Sequence, residues 1–390
     1  MDFSSFPYIV VGSGFFGAVM AERIANDLGE KVLVIEKRNH IGGNSYSRID
    51  PESGIEYHVY GTHIFHTSNE KVWQYINRFT DFNSYHHQVL STYQDKVYQL
   101  PINLETINSF YGLNLKPFEV KDFLAGEIAK SETSETPTNF EEMAISMMGE
   151  ALYKAFFRGY TLKQWNKDPK LMPASVLKRL PFRTNYNESY YNSRWQGIPL
   201  KGYTHIFKGL LRNSKIELKL NCDFFDIKDQ ISPKSTLIYS GPLDRFYNYK
   251  YGRLEWRTLR FEKEVKKVED FQGTAVMNYP ELSVPFTRIH EPRHLHPERT
   301  YHTDRSLLIR EYSEMDTGEN PFYPINDARN QAVVKRYRAE AAKESNLIIS
   351  GRLGDYKYYD MEATISRALE LYENKIKDSY GKNRLERMEQ

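Results

Sequence analysis

The chain has almost no cysteine, almost no net charge and no long apolar run. Cys222 is the single cysteine among 390 residues, which excludes an intramolecular disulfide and a cysteine-rich metal site and leaves it to read as a buried structural thiol. Net charge is +2 from 53 basic and 51 acidic residues, so the electrostatic footprint of a general nucleic-acid binder is missing and the partners read as small molecules. No stretch approaches the about 18 apolar residues of a membrane span. The N-terminus, MDFSSFPYIVVGSG, has no basic segment ahead of an apolar core, and the expectation is a cytoplasmic chain with neither membrane nor nucleic acid as partner.

Aromatic residues, in contrast, make up 14% of the chain, with 29 tyrosines. Tyrosine is apolar in body and hydrogen-bonding at its tip, so these residues serve as half-buried packing or line a polar ligand site. Composition does not choose between the two. The length allows two or three domains.

The chain is organised around residues 8–44. Tyr8 to Val11 is apolar and ends in Gly12-Ser13-Gly14-Phe15-Phe16-Gly17, after which Ala18, Ala21, Ala25 and Leu28 recur at helical spacing. That is strand, tight turn and helix: Gly12 permits the turn, Gly14 lets backbone approach a pyrophosphate at the helix N-terminus, and Gly17 lets helix and strand pack closely. A second apolar run, Val32 to Ile35, delivers Glu36, 24 residues after Gly12, where an acid reads an unphosphorylated ribose 2′-hydroxyl. Arg38-Asn39-His40-Ile41-Gly42-Gly43-Asn44 follows directly. A glycine pair at this place resembles the flavin superfamily of amine oxidases, Rab escort-type proteins and UDP-galactopyranose mutases, and no second Gly-x-Gly-x-x-Gly follows a later strand, so FAD is the expected cofactor.

Further along, His58, His63 and His66 cluster in EYHVYGTHIFHT, but no carboxylate or cysteine completes a familiar ligand spacing, and no metal is expected. Thr67-Ser68-Asn69-Glu70 reads as a capping box. Residues 88–100 alternate as a hairpin, and 104–180 turn helical, with Asn139 opening a helix over Phe140 to Phe157 and Pro173 opening another to Leu180. Leu237 to Gly241 returns as an apolar strand with a small terminal pair. TAVMNY at 274–279, SVPFTRI at 283–289 and SLLIREY at 306–312 suggest a mostly antiparallel sheet. Asp360 caps a last helix, which is either a plain terminal helix or a positive helix end turned toward a reduced flavin.

The ordered set VGSGFFGAV, VIEKRNHIGGN, YGTHIFHT, LPINLETIN, GYTLKQW, MPASVLKRLP, YSGPLD, VPFTRI, the REY of 310–312, FYPIND and GRLGDYKYYDM spans about residues 8 to 376 and resembles the bacterial UDP-galactopyranose mutase family. The resemblance implies an α/β fold: a Rossmann-like FAD-binding domain (1–80, 203–242 and 335–390), a helical domain with a mobile lid (104–180) and an antiparallel-sheet substrate domain (81–103, 181–202 and 243–334). It implies that reduced flavin N5 attacks the anomeric carbon of UDP-galactose, that UDP departs, and that the sugar opens and recloses through another hydroxyl without net redox. An external reductant such as NAD(P)H primes the cofactor, and a homodimer is implied.

By that resemblance His63, Arg179 and Arg288 are catalytic, with Arg179 on the lid. Tyr160 and Trp165 hold the uridine. Arg179, Tyr190, Arg288, Tyr323 and Tyr358 grip the diphosphate, while Asn278, Glu311 and His87 face the substrate. Ser13, Gly14, Phe15, Phe16, Gly17, Glu36, Lys37, Arg38, Asn44, His63, Ile64, Arg352, Tyr359, Asp360, Met361 and Thr364 bind FAD. From pattern alone Trp165 reads as core, Arg179 and Arg288 as ion-pair partners and the tyrosines as packing. Thr62 and His87 depart from the family pattern near the sugar end, which makes UDP-N-acetylgalactosamine the alternative substrate; an FAD-dependent oxidase of the amine oxidase type and a non-catalytic binder like the Rab escort-type proteins are the alternative functions.

Overall fold

A computed structural model describes residues 3–131, 136–179 and 181–381. Part of the expected polar linker at 131–138, Leu180 and the charged tail beyond 381 lie outside the described residues.

The apolar run Tyr8–Val11 is the middle of a five-stranded parallel sheet, ordered Leu347–Ile349, Thr236–Tyr239, Tyr8–Val11, Val32–Ile35 and Ile216–Lys219. Parallel strands need crossovers that cover both faces, so their strands are apolar throughout; Val32–Ile35 is buried at every position. Helices Phe15–Arg23, Tyr203–Leu210 and Met361–Leu371 pack on one face. An aromatic layer including Phe6, Phe224, Phe246, Trp256 and Tyr337 packs on the other. At the first turn Gly12 has φ 97°. A Cβ on Gly17 would lie 1.9 Å from the Gly12 carbonyl oxygen, so only glycine lets this helix sit so close to its strand.

A second sheet of seven strands runs in the order Tyr323–Pro324, Trp256–Lys266, Ser306–Met315, Arg288–His290, Val276–Asn278, Val89–Tyr93 and Lys96–Leu100. It is antiparallel except where Val276–Asn278 lies parallel to Val89–Tyr93. That junction joins a hairpin from before the helical part of the chain to strands from after it, so no tight turn dictates its direction. The eleven-residue strand Trp256–Lys266 is not among the expected runs, because charged residues dominate its sequence. Cross-strand ion pairs, Arg260 to Glu314 at 2.7 Å and Arg310 to Glu264 at 2.6 Å, accommodate them. The expected strand at 283–289 begins only at Arg288; Pro285 has no N–H for a ladder, and the residues before it turn.

Helices Val120–Ile128 and Phe140–Leu152 form much of a separate bundle. Asn139 caps the second by accepting from Glu142 N at 3.0 Å. The expected continuous helix to Phe157 is interrupted at Gly149, whose φ of 80° and ψ of 160° are not helical. It resumes through Tyr153–Arg158 into Gly159–Trp165. After Pro173 the chain forms a 3-10 segment, Ala174–Arg179. The capping box expected at Thr67 is displaced: Asn69 is the cap, accepting from Lys71 N and Val72 N, and Thr67 Oγ1 instead accepts from Asn69 N.

Candidate active site

Where the parallel strands end, an open cleft runs past the glycine turn. Helix Phe15–Arg23 starts there at Gly14, with no side-chain cap and no acid in its first turn. Its unpaired N–H groups and positive end are therefore left for an anion. Glu36 is held in place by Ser13, whose N and Oγ donate to Oε2 at 2.9 and 2.8 Å, and by Arg38 N, which donates to Oε1 at 2.9 Å. Arg38 also donates to Asn44 Oδ1 at 3.0 Å and lies over the Tyr60 ring.

Gly14, Phe15, Phe16, Glu36, Lys37, Arg38, Asn44, His63, Arg352, Asp360, Met361 and Thr364 all line this cleft. Four other expected cofactor residues stand behind it. Ser13 orients Glu36, Gly17 packs under the turn, Ile64 belongs to a core around Tyr85 and Val89, and Tyr359 offers its carbonyl to Arg352 at 2.7 and 3.0 Å. Sequence reasoning missed the opposite wall, formed by Asp223, Phe224, Phe225, Arg245 and Glu319. Cys222 N donates to Glu36 O at 3.0 Å, which sets that wall beside the acid. The adjacent aromatic pair after Asp223 was the available signal.

A second cluster is built by strand register. Asn278, Arg288 and Glu311 lie directly opposite one another on three neighbouring strands, and residues opposite each other share a face. Arg288 Nε is 3.3 Å from Glu311 Oε1, and Arg288 Nη2 bonds to Tyr160 Oη. On the other side of Glu311, His290 Nε2 is 2.9 Å from Oε2, and His290 Nδ1 is 2.7 Å from Thr62 Oγ1. Asn278 Oδ1 is buried without a hydrogen bond. Around this row Tyr323 stacks on Tyr358 with centroids 5.2 Å apart, Trp165 lies 6.4 Å from Tyr323, and His87 meets Tyr190 edge-on at 5.2 Å. The structure thus brings together every expected substrate-side residue except Arg179, whose side chain lies outside the described residues.

Two residues join the cleft to this cluster. His63 lines the cleft one residue after Thr62, and Arg352 lines it while lying 5.7 Å from the Tyr358 ring. Burial pulls His63 down to about 4, so it is neutral at pH 7. Its Nδ1 is 2.6 Å from the Gly61 carbonyl, which fixes the proton on Nδ1 and leaves Nε2 as an acceptor. Burial also pulls His87 down to about 3, with Arg288 adding repulsion. For Glu311, burial works against the charge, but Arg288 and the hydrogen bond from His290 prevail and hold it at about 2. A carboxylate this acidic, with His290, Thr287 and Arg288 on its oxygens, is an electrostatic fixture and no proton donor.

The fold and site define a class: a dinucleotide-binding α/β protein with a cationic, tyrosine-rich ligand site abutting the cofactor cleft. Residues 10–79 match an NAD(P)-binding Rossmann-like domain, and residues 155–358 match the family described as UDP-galactopyranose mutase. The chain belongs to that family and is an enzyme of the isomerase class. It is 43% identical over 363 residues to a probable UDP-galactopyranose mutase of Klebsiella pneumoniae, covering 93% of this chain and 92% of the relative. It is 39% identical over 376 residues to a dTDP-fucopyranose mutase of Escherichia coli, covering 95% and 98%. A crystal structure of reduced UDP-galactopyranose mutase shares the fold with a TM-score of 0.69 at 16% identity, covering 93% of this chain and 94% of that one. Family membership and the Rossmann-like half imply a flavin cofactor. Among the described residues no helix is long and apolar enough to cross a membrane.

Proposed function

We propose that this enzyme interconverts UDP-galactopyranose and UDP-galactofuranose, with reduced FAD supplying the nucleophile for the anomeric carbon and no net redox change. The observation that carries the reading is the row Asn278–Arg288–Glu311, roofed by Tyr160 and tied to the cofactor cleft through Thr62 and His63. In the cleft the glycine turn and the open helix end at Gly14 hold the pyrophosphate, Glu36 reads the ribose, and Phe224 and Phe225 flank the adenine.

On the substrate side Trp165 and Tyr160 take the uridine, and Arg288 takes the diphosphate with Tyr190, Tyr323 and Tyr358. As UDP leaves, negative charge accumulates on the phosphate oxygens, where a fixed guanidinium and phenol donors stabilise it. Glu311 keeps Arg288 aimed and, being ionised, disfavours a second carboxylate nearby. Arg179 adds a further cation, by analogy with the family. Reclosure requires a sugar hydroxyl to lose its proton, and the group assigned to accept it is His63, whose bond from Nδ1 to the Gly61 carbonyl leaves Nε2 as an acceptor.

The similarity to a dTDP-fucopyranose mutase makes the deoxythymidine sugar the informative competitor. Reduced enzyme is incubated separately with UDP-galactofuranose, its N-acetyl analogue and dTDP-fucofuranose, and products are separated by chromatography. Fastest conversion of UDP-galactofuranose is expected. Conversion of the deoxythymidine sugar alone transfers the same chemistry to that substrate, and conversion of none refutes the proposal.

A further inference from the structure

We propose that Lys163 is a positioning residue of the ligand site: its ammonium acts as a built-in cation that holds the 279–287 loop against helix Gly159–Trp165. The loop runs from Asn278 to Arg288, and the helix carries Tyr160 and Trp165. Lys163 therefore assembles the two walls between which a nucleotide diphosphate binds. The identity of that ligand rests on the function proposed above.

Lys163 Nζ donates to the backbone carbonyls of Tyr279 at 2.5 Å, Glu281 at 3.0 Å, Val284 at 2.9 Å and Phe286 at 2.9 Å. An ammonium has three N–H groups, so four carbonyls surround it as they would a dehydrated cation. The loop lacks regular structure, and the backbone bonds within it are Tyr279 N to Thr287 O at 2.9 Å and Val284 N to Glu281 O at 3.2 Å. Its converging carbonyl dipoles need a donor, and Lys163 supplies it. Burial pulls Lys163 down to about 8, as expected of an ammonium drawn out of water.

The helix is fitted to this arrangement. A Cβ on Gly159 would lie 2.2 Å from the Pro280 carbonyl oxygen, so helix and loop are in backbone contact. Tyr160 and Lys163 are three residues apart and share a face; one reaches Arg288 while the other reaches the loop. Arg257, only 1% exposed, donates from Nε to the Gln164 carbonyl at 3.0 Å, and Ser313 Oγ donates to the same oxygen at 2.6 Å. The far end of the helix is thus pinned to the sheet. Without the ammonium, the near side meets the carbonyls of Tyr279, Val284 and Phe286 left without a donor, with Glu281 O keeping only Val284 N, and the Tyr160–Arg288 contact loses its support.

The test uses the FAD-loaded protein, with UDP as probe and no need for turnover. Lys163→Met and Lys163→Ala are expected to weaken UDP binding at least tenfold while bound FAD, read from its visible absorbance, is unchanged. Ethylammonium is expected to restore affinity to Lys163→Ala and not to Lys163→Met, whose side chain fills the space. In the unaltered protein UDP should slow amide exchange in 279–287 and 159–165 together. Parent-like UDP affinity in Lys163→Met overturns the proposal, as does protection of 159–165 alone. Should the variants fail to fold, the exchange measurement decides. Should the parent not bind UDP, the functional reading fails instead, and the clamp is then judged by whether ligand-free Lys163→Met exchanges faster in 279–287 than the parent; equal rates refute it.

Discussion

Replacing Glu311 with Gln removes a charge from beneath Arg288 while keeping the shape. The carboxyl ordinarily titrates near 4.5 and is held here at about 2, with burial opposing ionisation and Arg288 and His290 favouring it. At 1.36 kcal/mol per pH unit the gap corresponds to about 3 kcal/mol of stability. The side chain is only 5% exposed, so solvent screening takes little from this figure. Because the folded value lies below the unfolded one, the contribution is complete above about pH 5 and disappears as pH falls toward 2. Glu311→Gln should therefore be less stable than the parent by about 3 kcal/mol at pH 7, and the two should converge as pH drops from 5 to 2. Urea unfolding followed by tryptophan fluorescence at several pH values reads this out. A difference that does not change with pH rules out the ion pair as its source, since it assigns the loss to packing or to the neutral hydrogen bonds instead.

Arg288→Ala should lose turnover and weaken UDP binding at least tenfold with yellow flavin retained, because Arg288 lines the ligand side and not the cofactor cleft; parent-like turnover contradicts the role given to it. Gly14→Val places a branched side chain at the uncapped helix end facing the cleft, where a Cβ meets only Gly43 Cα at 3.7 Å. The fold should persist and FAD should be lost, so a yellow variant with parent-like absorbance contradicts the assignment. His63, half-buried in the cleft wall and lowered to about 4, should remain neutral from pH 5 to 8. It destabilises the fold as pH falls below 6.5, where the unfolded chain takes up a proton first, and an imidazole NMR midpoint near 6.5 in the folded protein contradicts its burial.

The sequence disclosed what is local. The strand, glycine turn, helix and acid of residues 8–36 carry their spacing on the page, and each stands where that spacing places it in the parallel sheet. What stayed hidden depends on pairing across the chain. The strand Trp256–Lys266 reads as polar because charges such as Arg260 and Glu264 meet their partners, Glu314 and Arg310, across the sheet on the neighbouring strand. His290 looks like any lone histidine until Thr62, 228 residues away, is found on its far nitrogen. Lys163 sits inside a recognised motif, yet nothing in the motif shows that its partners are four carbonyls. Arg288, Asn278 and Glu311 were legible by family resemblance alone, since their alignment arises from register and not from sequence spacing.

In the proposed reaction the flavin works without net redox. The most direct measurement is anaerobic turnover of UDP-galactofuranose by one batch of protein, split into dithionite-reduced and oxidised portions, with flavin absorbance followed throughout. Many turnovers to UDP-galactopyranose are expected in the reduced portion, none in the oxidised portion, and a flavin that is still reduced when the substrate is at equilibrium. Equal conversion in both portions, or one equivalent of flavin oxidised per sugar consumed, would contradict the proposed reaction.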